Sequence, residues 1–163
     1  MPKQVKRLSI RFVGESGQGI NTLGELTSKA LKNSNYYTFA YREYPSLIKG
    51  GVASYQIDIS STPINSSSKY CDILISLDTD AFKHYIETTN RKGVAIYDDK
   101  DVEEDIEIKK VLQKYKISSK YIPTEDIAEE VKGEKIMANM VLLGVLWHIL
   151  KLDTKQLEKL VKE

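Results

Sequence analysis

The chain has 163 residues, 41% of them hydrophobic, with 24 lysines and arginines against 23 aspartates and glutamates. That is enough apolar matter for one domain with a real core, and a net charge of +1 excludes the broad basic surface of a nucleic-acid binder. A single cysteine, Cys71, excludes an internal disulfide framework and an iron–sulfur cluster held by this chain alone, and His84 and His148 lack metal-ligand spacing.

The start, "MPKQVKRLSIRFVG", runs from a basic tip straight into a strand at 8–13, with no signal-peptide pattern, so a cytoplasmic protein is expected. A helix comes next over 18–33, with Ile20, Leu23, Leu26 and Leu31 at roughly helical spacing. The aromatic run "YYTFAYRE" predicts a strand near 36–42, and Pro45 and Gly50-Gly51 break the chain between it and the next strand. "VASYQIDIS" alternates: Ala53, Tyr55, Ile57 and Ile59 face one way, Ser54, Gln56 and Asp58 the other. The alternation predicts a strand covered on one side only, antiparallel and near an edge.

"SSTPINSSSKY" reads as a polar turn and "CDILISLD" as a central parallel strand, in which Cys71 is expected to be buried packing. A short helix over 79–89 carries His84, read as a surface or half-buried residue. "GVAIYDD" is a strand, 103–115 a charged helix and "KYIPT" a last short strand. Thr124 is expected to cap a helix from Glu125, and the closing helices span 134–150 and 154–162, the latter capped by Asp153 or Thr154. The stretch "IMANMVLLGVLWHIL" is too short for an ordinary membrane span. The order predicts a single domain over 1–163, an α/β Rossmann-like three-layer sandwich whose sheet is mostly parallel with one antiparallel or edge strand.

Two segments carry the functional signal. The first is "GESGQGINTLGE". Glycines at 14, 17 and 19 sit between a strand and a helix, at the sheet edge where α/β proteins bind ligands. Unpaired N–H groups at the helix start can seat an anion, with Ser16 and Gln18 adding polar groups. The spacing is G-x-x-G-x-G, which matches neither the dinucleotide fingerprint nor the Walker loop. Glu43 stands in the place of an acidic ribose ligand but at a longer interval than usual. The bland alternative is a tight turn that lets the helix lie close on the sheet.

The second segment is "YREYPSLIKGG". Arg42 and Lys49 supply charge, Ser46 a hydroxyl, Tyr41 and Tyr44 flat contact area, and Gly50 and Gly51 allow close backbone approach. The bland alternative is a surface loop with a structural Arg42–Glu43 pairing. In the closing apolar helix, Trp147 is the best candidate for an interface anchor and Gly144 for a close helix crossing. The alternative there is a central helix covered by 154–162. His148 reads as a core or interface histidine.

"IRFVGESGQGINTLGELTSKAL", "YREYPSLIKGGVASYQIDIS", "CDILISLD", "GVAIYDD" and "ANMVLLGVLWHIL" together resemble the gamma domain of 2-oxoacid:ferredoxin oxidoreductases, over nearly the whole chain. The wording of the first two blocks is closest to the form fused to the alpha subunit. In the resemblance the glycine turn corresponds to Gly14, Gly17 and Gly19. The basic-Gly-Gly segment corresponds to Lys49, Gly50 and Gly51, with lysine where the family has arginine, which keeps the charge but loses the planar fork.

The resemblance implies a non-catalytic subunit that docks on alpha and beta chains, and delta where present, and shapes the coenzyme A side of their site. Thiamine diphosphate, Mg2+, iron–sulfur clusters and coenzyme A are implied for the assembled complex and none for this chain alone. The residue reading and the resemblance together give Gly14, Ser16, Gly17, Gln18, Gly19, Arg42, Lys49, Gly50 and Gly51 as the expected binding residues, with no catalytic or metal-binding residue. The alternatives are an independent nucleotide or coenzyme A binding module and a structural homo-oligomer.

Overall fold

The computed structural model describes residues 6–44, 51–131 and 137–161. Pro45, Ser46, Lys49 and Gly50 lie outside the described residues, as does the beginning of the helix expected from 134. Six strands form one sheet: β1 (Leu8–Glu15), β2 (Tyr37–Glu43), β3 (Val52–Ser60), β4 (Cys71–Ser76), β5 (Thr89–Tyr97) and β6 (Ser118–Tyr121). Their order is β2-β3-β1-β4-β5-β6. β1, β4, β5 and β6 pair in parallel, and β3 alone runs against both of its neighbours, β2 and β1.

Helices α1 (Ile20–Asn33), α6 (Ala138–Leu150) and α7 (Lys155–Val161) cover one face. They bury Ile10, Phe12, Ile57, Ile73, Ile75 and Ile96 beneath Leu23, Leu142, Leu146 and Leu157. Helices α2 (Thr79–Tyr85), α3 (Asp101–Glu104) and α4 (Ile106–Tyr115) cover Val13, Leu74, Ala95 and Tyr97 on the other. A 3-10 turn, Ile86–Thr88, continues α2, and α5 (Thr124–Glu130) lies beside α6. This is the three-layer α/β sandwich the element order predicts.

Local chemistry sets the boundaries. Asp78 starts α2 by accepting from the Ala81 N–H, and Asp105 starts α4 by accepting from Glu107 and Ile108. Thr124 is not the cap of α5 but its first residue. Its hydroxyl donates to Asp98 Oδ2 at 2.6 Å and its N–H to Asp98 Oδ1 at 3.2 Å, which ties α5 to the end of β5. Before α7, the Asp153 carboxylate accepts from the Lys155 N–H, while the Thr154 carbonyl accepts from Glu158.

β3 departs from its expected setting. It is antiparallel and next to an edge strand, but both of its faces are covered: Ser54, Gln56 and Asp58 are 3%, 1% and 0% exposed. Its polar side chains satisfy one another and their neighbours. Arg11 donates through Nε and Nη2 to Gln56 Oε1 and through Nη1 to Thr88 Oγ1. Gln56 donates to Asp58 Oδ2 and to the Ser68 carbonyl. Asp58 also accepts from Arg7 Nε at 3.1 Å and from the Ser68 N–H at 3.0 Å. Buried polar groups persist only when partnered, and here each member of the row supplies the next one's partner.

The two faces of α6 separate the two readings of the closing helix. Trp147 is a core residue, 1% exposed, and its indole donates to the Asp153 carbonyl. Leu157 of α7 is in the same cluster, so this face is covered from within the chain. His148 is exposed rather than buried. Met137 and Gly144 are exposed too, and α6 carries no Asp, Glu, Lys or Arg along its length.

Cys71 is fully buried, with Thr89 Oγ1 at 3.7 Å, and burial pushes its thiol up to about 11. The folded protein is therefore expected to resist an aromatic disulfide reagent at pH 8 and to react only on denaturation. Rapid stoichiometric labelling of the native chain would contradict this packing.

Candidate functional site

β1 ends at Glu15 on the carboxyl edge of its parallel neighbours, and the chain must turn there within four residues to start α1. Gly17 (φ 105°) and Gly19 (φ 87°) take left-handed conformations that side-chain-bearing residues rarely adopt. Gly14 lies beneath the turn, where a Cβ would stand 2.6 Å from Gln18 Oε1 and 3.2 Å from Leu77 Cβ. Gly14 therefore serves close packing. Gln18 folds back, its Oε1 accepting from the Glu15 N–H at 2.7 Å.

Across from the turn stands Asn139, at the start of α6. Its Nδ2 donates to the Gln18 carbonyl at 2.8 Å. A Cβ at Gly19 would come within 2.6 Å of that nitrogen, so this glycine admits the asparagine. At Gly17, by contrast, the space is open.

Gly17, Gln18, Gly19, Thr22, Leu23, Asn139 and Met140 line a cleft of about 460 Å³ between the starts of α1 and α6. α1 has no side-chain cap, so N–H groups of its first turn are left without intrahelical acceptors. No charged side chain lines the cleft. It can hold a negative or strongly polar group by backbone N–H and helix polarity, with Leu23 and Met140 as an apolar wall. It offers no acid–base pair and no activated nucleophile.

The two segments singled out in the sequence meet at one point: the Ser16 N–H donates to the Gly51 carbonyl at 3.3 Å. The reversed direction of β3 sets Val52 opposite Glu15 and so brings Gly51 there. Arg42 does not line the cleft. Its Nη2 donates to Glu25 at 2.7 Å and its guanidinium lies 4.8 Å from the centre of the Tyr55 ring. Glu43 holds internal partners, accepting from Tyr85 at 2.8 Å and Ser54 at 3.1 Å. Burial, and then the Glu43 carboxylate, raise the Tyr85 phenol above its usual range. Neither the ribose-ligand role for Glu43 nor an Arg42–Glu43 pair matches this geometry.

Thr22, Leu23, Asn139 and Met140 line the cleft, and sequence reasoning assigns none of them to it. The one usable signal is the lone amide of Asn139 at the head of an apolar helix.

A second cleft, about 410 Å³, lies beyond the ends of β5 and β6, among Asp98, Asp99, Lys100, Tyr121, Glu125 and Asp126. Asp98 is bonded to Thr124, and Asp99 to Thr79 and the Asp101 N–H. Its acidic lining disfavours an anion. Among the described residues, no group of three His, Cys, Asp or Glu side chains is placed to hold a metal ion, and no helix is long and apolar enough to cross a membrane.

The family model described as pyruvate ferredoxin/flavodoxin oxidoreductase matches residues 9–163. The alpha subunit of a 2-oxoacid:ferredoxin oxidoreductase from Sulfolobus sp. is 31% identical over 77% of this chain, and the chain spans only 18% of that relative's length. The 2-oxoglutarate synthase subunit KorC of Methanothermobacter marburgensis is 30% identical over 86% of the chain and 76% of its own length. Among solved structures, the 2-oxoglutarate:ferredoxin oxidoreductase of Magnetococcus marinus, with 2-oxoglutarate, coenzyme A and succinyl-CoA bound, superposes with a TM-score of 0.80. It is 25% identical to this chain over 96% of its residues, which correspond to 27% of that larger chain. The match runs from β1 through the glycine turn and the reversed strand to the closing helices, and the chain belongs to the pyruvate ferredoxin/flavodoxin oxidoreductase family, among the 2-oxoacid:ferredoxin oxidoreductases.

Proposed function

We propose that the chain is a gamma-type subunit or domain of such an oxidoreductase. It docks on the chains that carry the chemistry and shapes the coenzyme A side of their site. The observation that carries this reading is the open cleft at Gly17, walled by a helix whose outer face carries no Asp, Glu, Lys or Arg. A solvent-facing helix surface without charge is normally covered. Asn139 and Met140 belong both to α6 and to the cleft, so a chain seated on α6 also closes the cleft and keeps water from it.

Coenzyme A supplies a thiol that accepts the acyl group. Its phosphates suit first-turn N–H groups of α1, and its apolar parts suit Leu23 and Met140. The donor set does not fit the other cofactors of the family. The one cysteine is buried against Thr89, which leaves no ligand set for an iron–sulfur cluster. Among the described residues, no three His, Cys, Asp or Glu side chains come together as a metal site.

Thr22 is exposed on the first turn of α1 and free of the strained backbone of Gly17 and Gly19, so Thr22→Trp fills the cleft without disturbing the turn. In the assembled complex it is expected to raise the KM for coenzyme A about tenfold, a loss of the size of one good contact, with the KM for the 2-oxoacid unchanged. An unchanged coenzyme A KM in an intact complex refutes the role of the cleft. Tight calorimetric binding of coenzyme A by the isolated chain would favour the independent binding module instead.

A further inference from the structure

β2 closes one side of the sheet, and its outer edge has no partner strand among the described residues. Soluble proteins guard such edges with proline, lysine, a bulge or brevity. β2 has none of these. Its seven residues pair with β3 in unbroken register. Its two charges are already engaged, Arg42 with Glu25 and Glu43 with Ser54 and Tyr85. Tyr37, Phe39 and Tyr41 share one face, opposite Ser60, Asp58 and Gln56 of β3. Tyr37 and Tyr41 remain 51% and 46% exposed. A β-favouring, nearly neutral segment of this kind self-associates unless something covers it.

We infer that a second copy of this chain covers it, the two β2 strands pairing antiparallel about a two-fold axis through Ala40. Such an axis keeps corresponding sheet faces on the same side, so facing residues must share the same alternation. The register centred on Ala40 meets that condition and pairs every residue of β2. A shift by two leaves residues unpaired at the ends.

In this register Phe39 faces Tyr41 of the second copy and Tyr41 faces its Phe39, a favourable aromatic pairing repeated twice. No like charges meet in this register. Arg42 faces the Thr38 hydroxyl, Glu43 faces the Tyr37 phenol, and the two copies of each charge sit at opposite ends of the ladder. Tyr37 and Tyr41 are each about half exposed, so with the strand edge they offer roughly 300 Å² per copy, well below the roughly 800 Å² of a standard stable interface, and the dimer is a weak one. This surface is separate from the cleft and from α6, and the inference does not rest on the coenzyme A reading.

Sedimentation equilibrium of the full chain is expected to show a reversible monomer–dimer equilibrium in the micromolar range. Tyr41→Lys, at an exposed position and so compatible with folding, places a charge against Phe39 twice per dimer and is expected to weaken association at least about tenfold. Ala40→Cys tests the register. Facing Cα atoms in an antiparallel pair stand about 4.5–5.5 Å apart, within disulfide reach, and Cys71 is buried and does not compete. Mild oxidation is expected to link Ala40→Cys much faster than Lys110→Cys, a control on exposed α4. A chain that stays monomeric, a dimer indifferent to Tyr41→Lys, or equal linking of the two cysteine variants each overturns the proposal.

Discussion

Replacing Gly24 by alanine is expected to destabilise the fold by about 2 kcal/mol, even though alanine is the better helix former. Mid-helix, alanine gains roughly 1 kcal/mol over glycine. That gain is outweighed because the new Cβ would land on the root of the Tyr55 ring. Tyr55 is 3% exposed, and Arg42 lies over its ring, so it has no open side to tilt toward. Overpacking of this sort costs about 1–3 kcal/mol or more, and the Arg42 stack is lost with it. For a domain of this size the melting temperature should fall by about 5 °C. Urea titration should show a lower midpoint. In a Tyr55→Leu background the same substitution should be nearly harmless, because the obstruction is then gone. Full additivity of the two changes would show that the ring is not the obstacle.

Asp58→Ala should be costlier, about 3–5 kcal/mol. The carboxylate is wholly buried and receives Arg7, Gln56 and the Ser68 N–H. Its removal strands the Ser68 N–H and breaks the row that holds Gln56 for Arg11. Asp58→Asn recovers only part of the loss, because its NH2 must point at another donor. The triple change Arg11→Met, Gln56→Leu, Asp58→Leu should cost less than Asp58→Ala alone, since an apolar layer needs no partners while a broken polar one does. Denaturant midpoints of the three variants decide this. A triple variant less stable than the single one would show that the polar row itself holds the layer together.

That row also explains where the sequence misleads. In β3, polar residues at every second position have the same signature whether they meet water or one another. Only the arrival of Arg11 from β1 and the Ser68 backbone from the following loop makes the second case true here. The sequence predicts β5 only from Gly93, where the apolar run begins. The strand begins at Thr89, with Lys92 at φ 62° and a shift of register against β4. The glycine turn is legible because left-handed backbone needs glycine, and the buried strands because parallel strands read as apolar runs. The far wall of the cleft is not. Asn139 lies 121 residues from Gln18, and no local pattern links the two.

The position of β1 also governs how the chain can assemble as it is made. Its ladders join it to β3 and β4, so the first strand synthesised has no neighbour until Ser60 has emerged, and its second waits for Ser76. Until then α1 has only an isolated strand to lie on, and Ile10, Phe12 and Leu23 stay wet. Nascent chains cut before β3 should accordingly remain open to proteases, with protection of the amino-terminal third arriving abruptly once β3 is available.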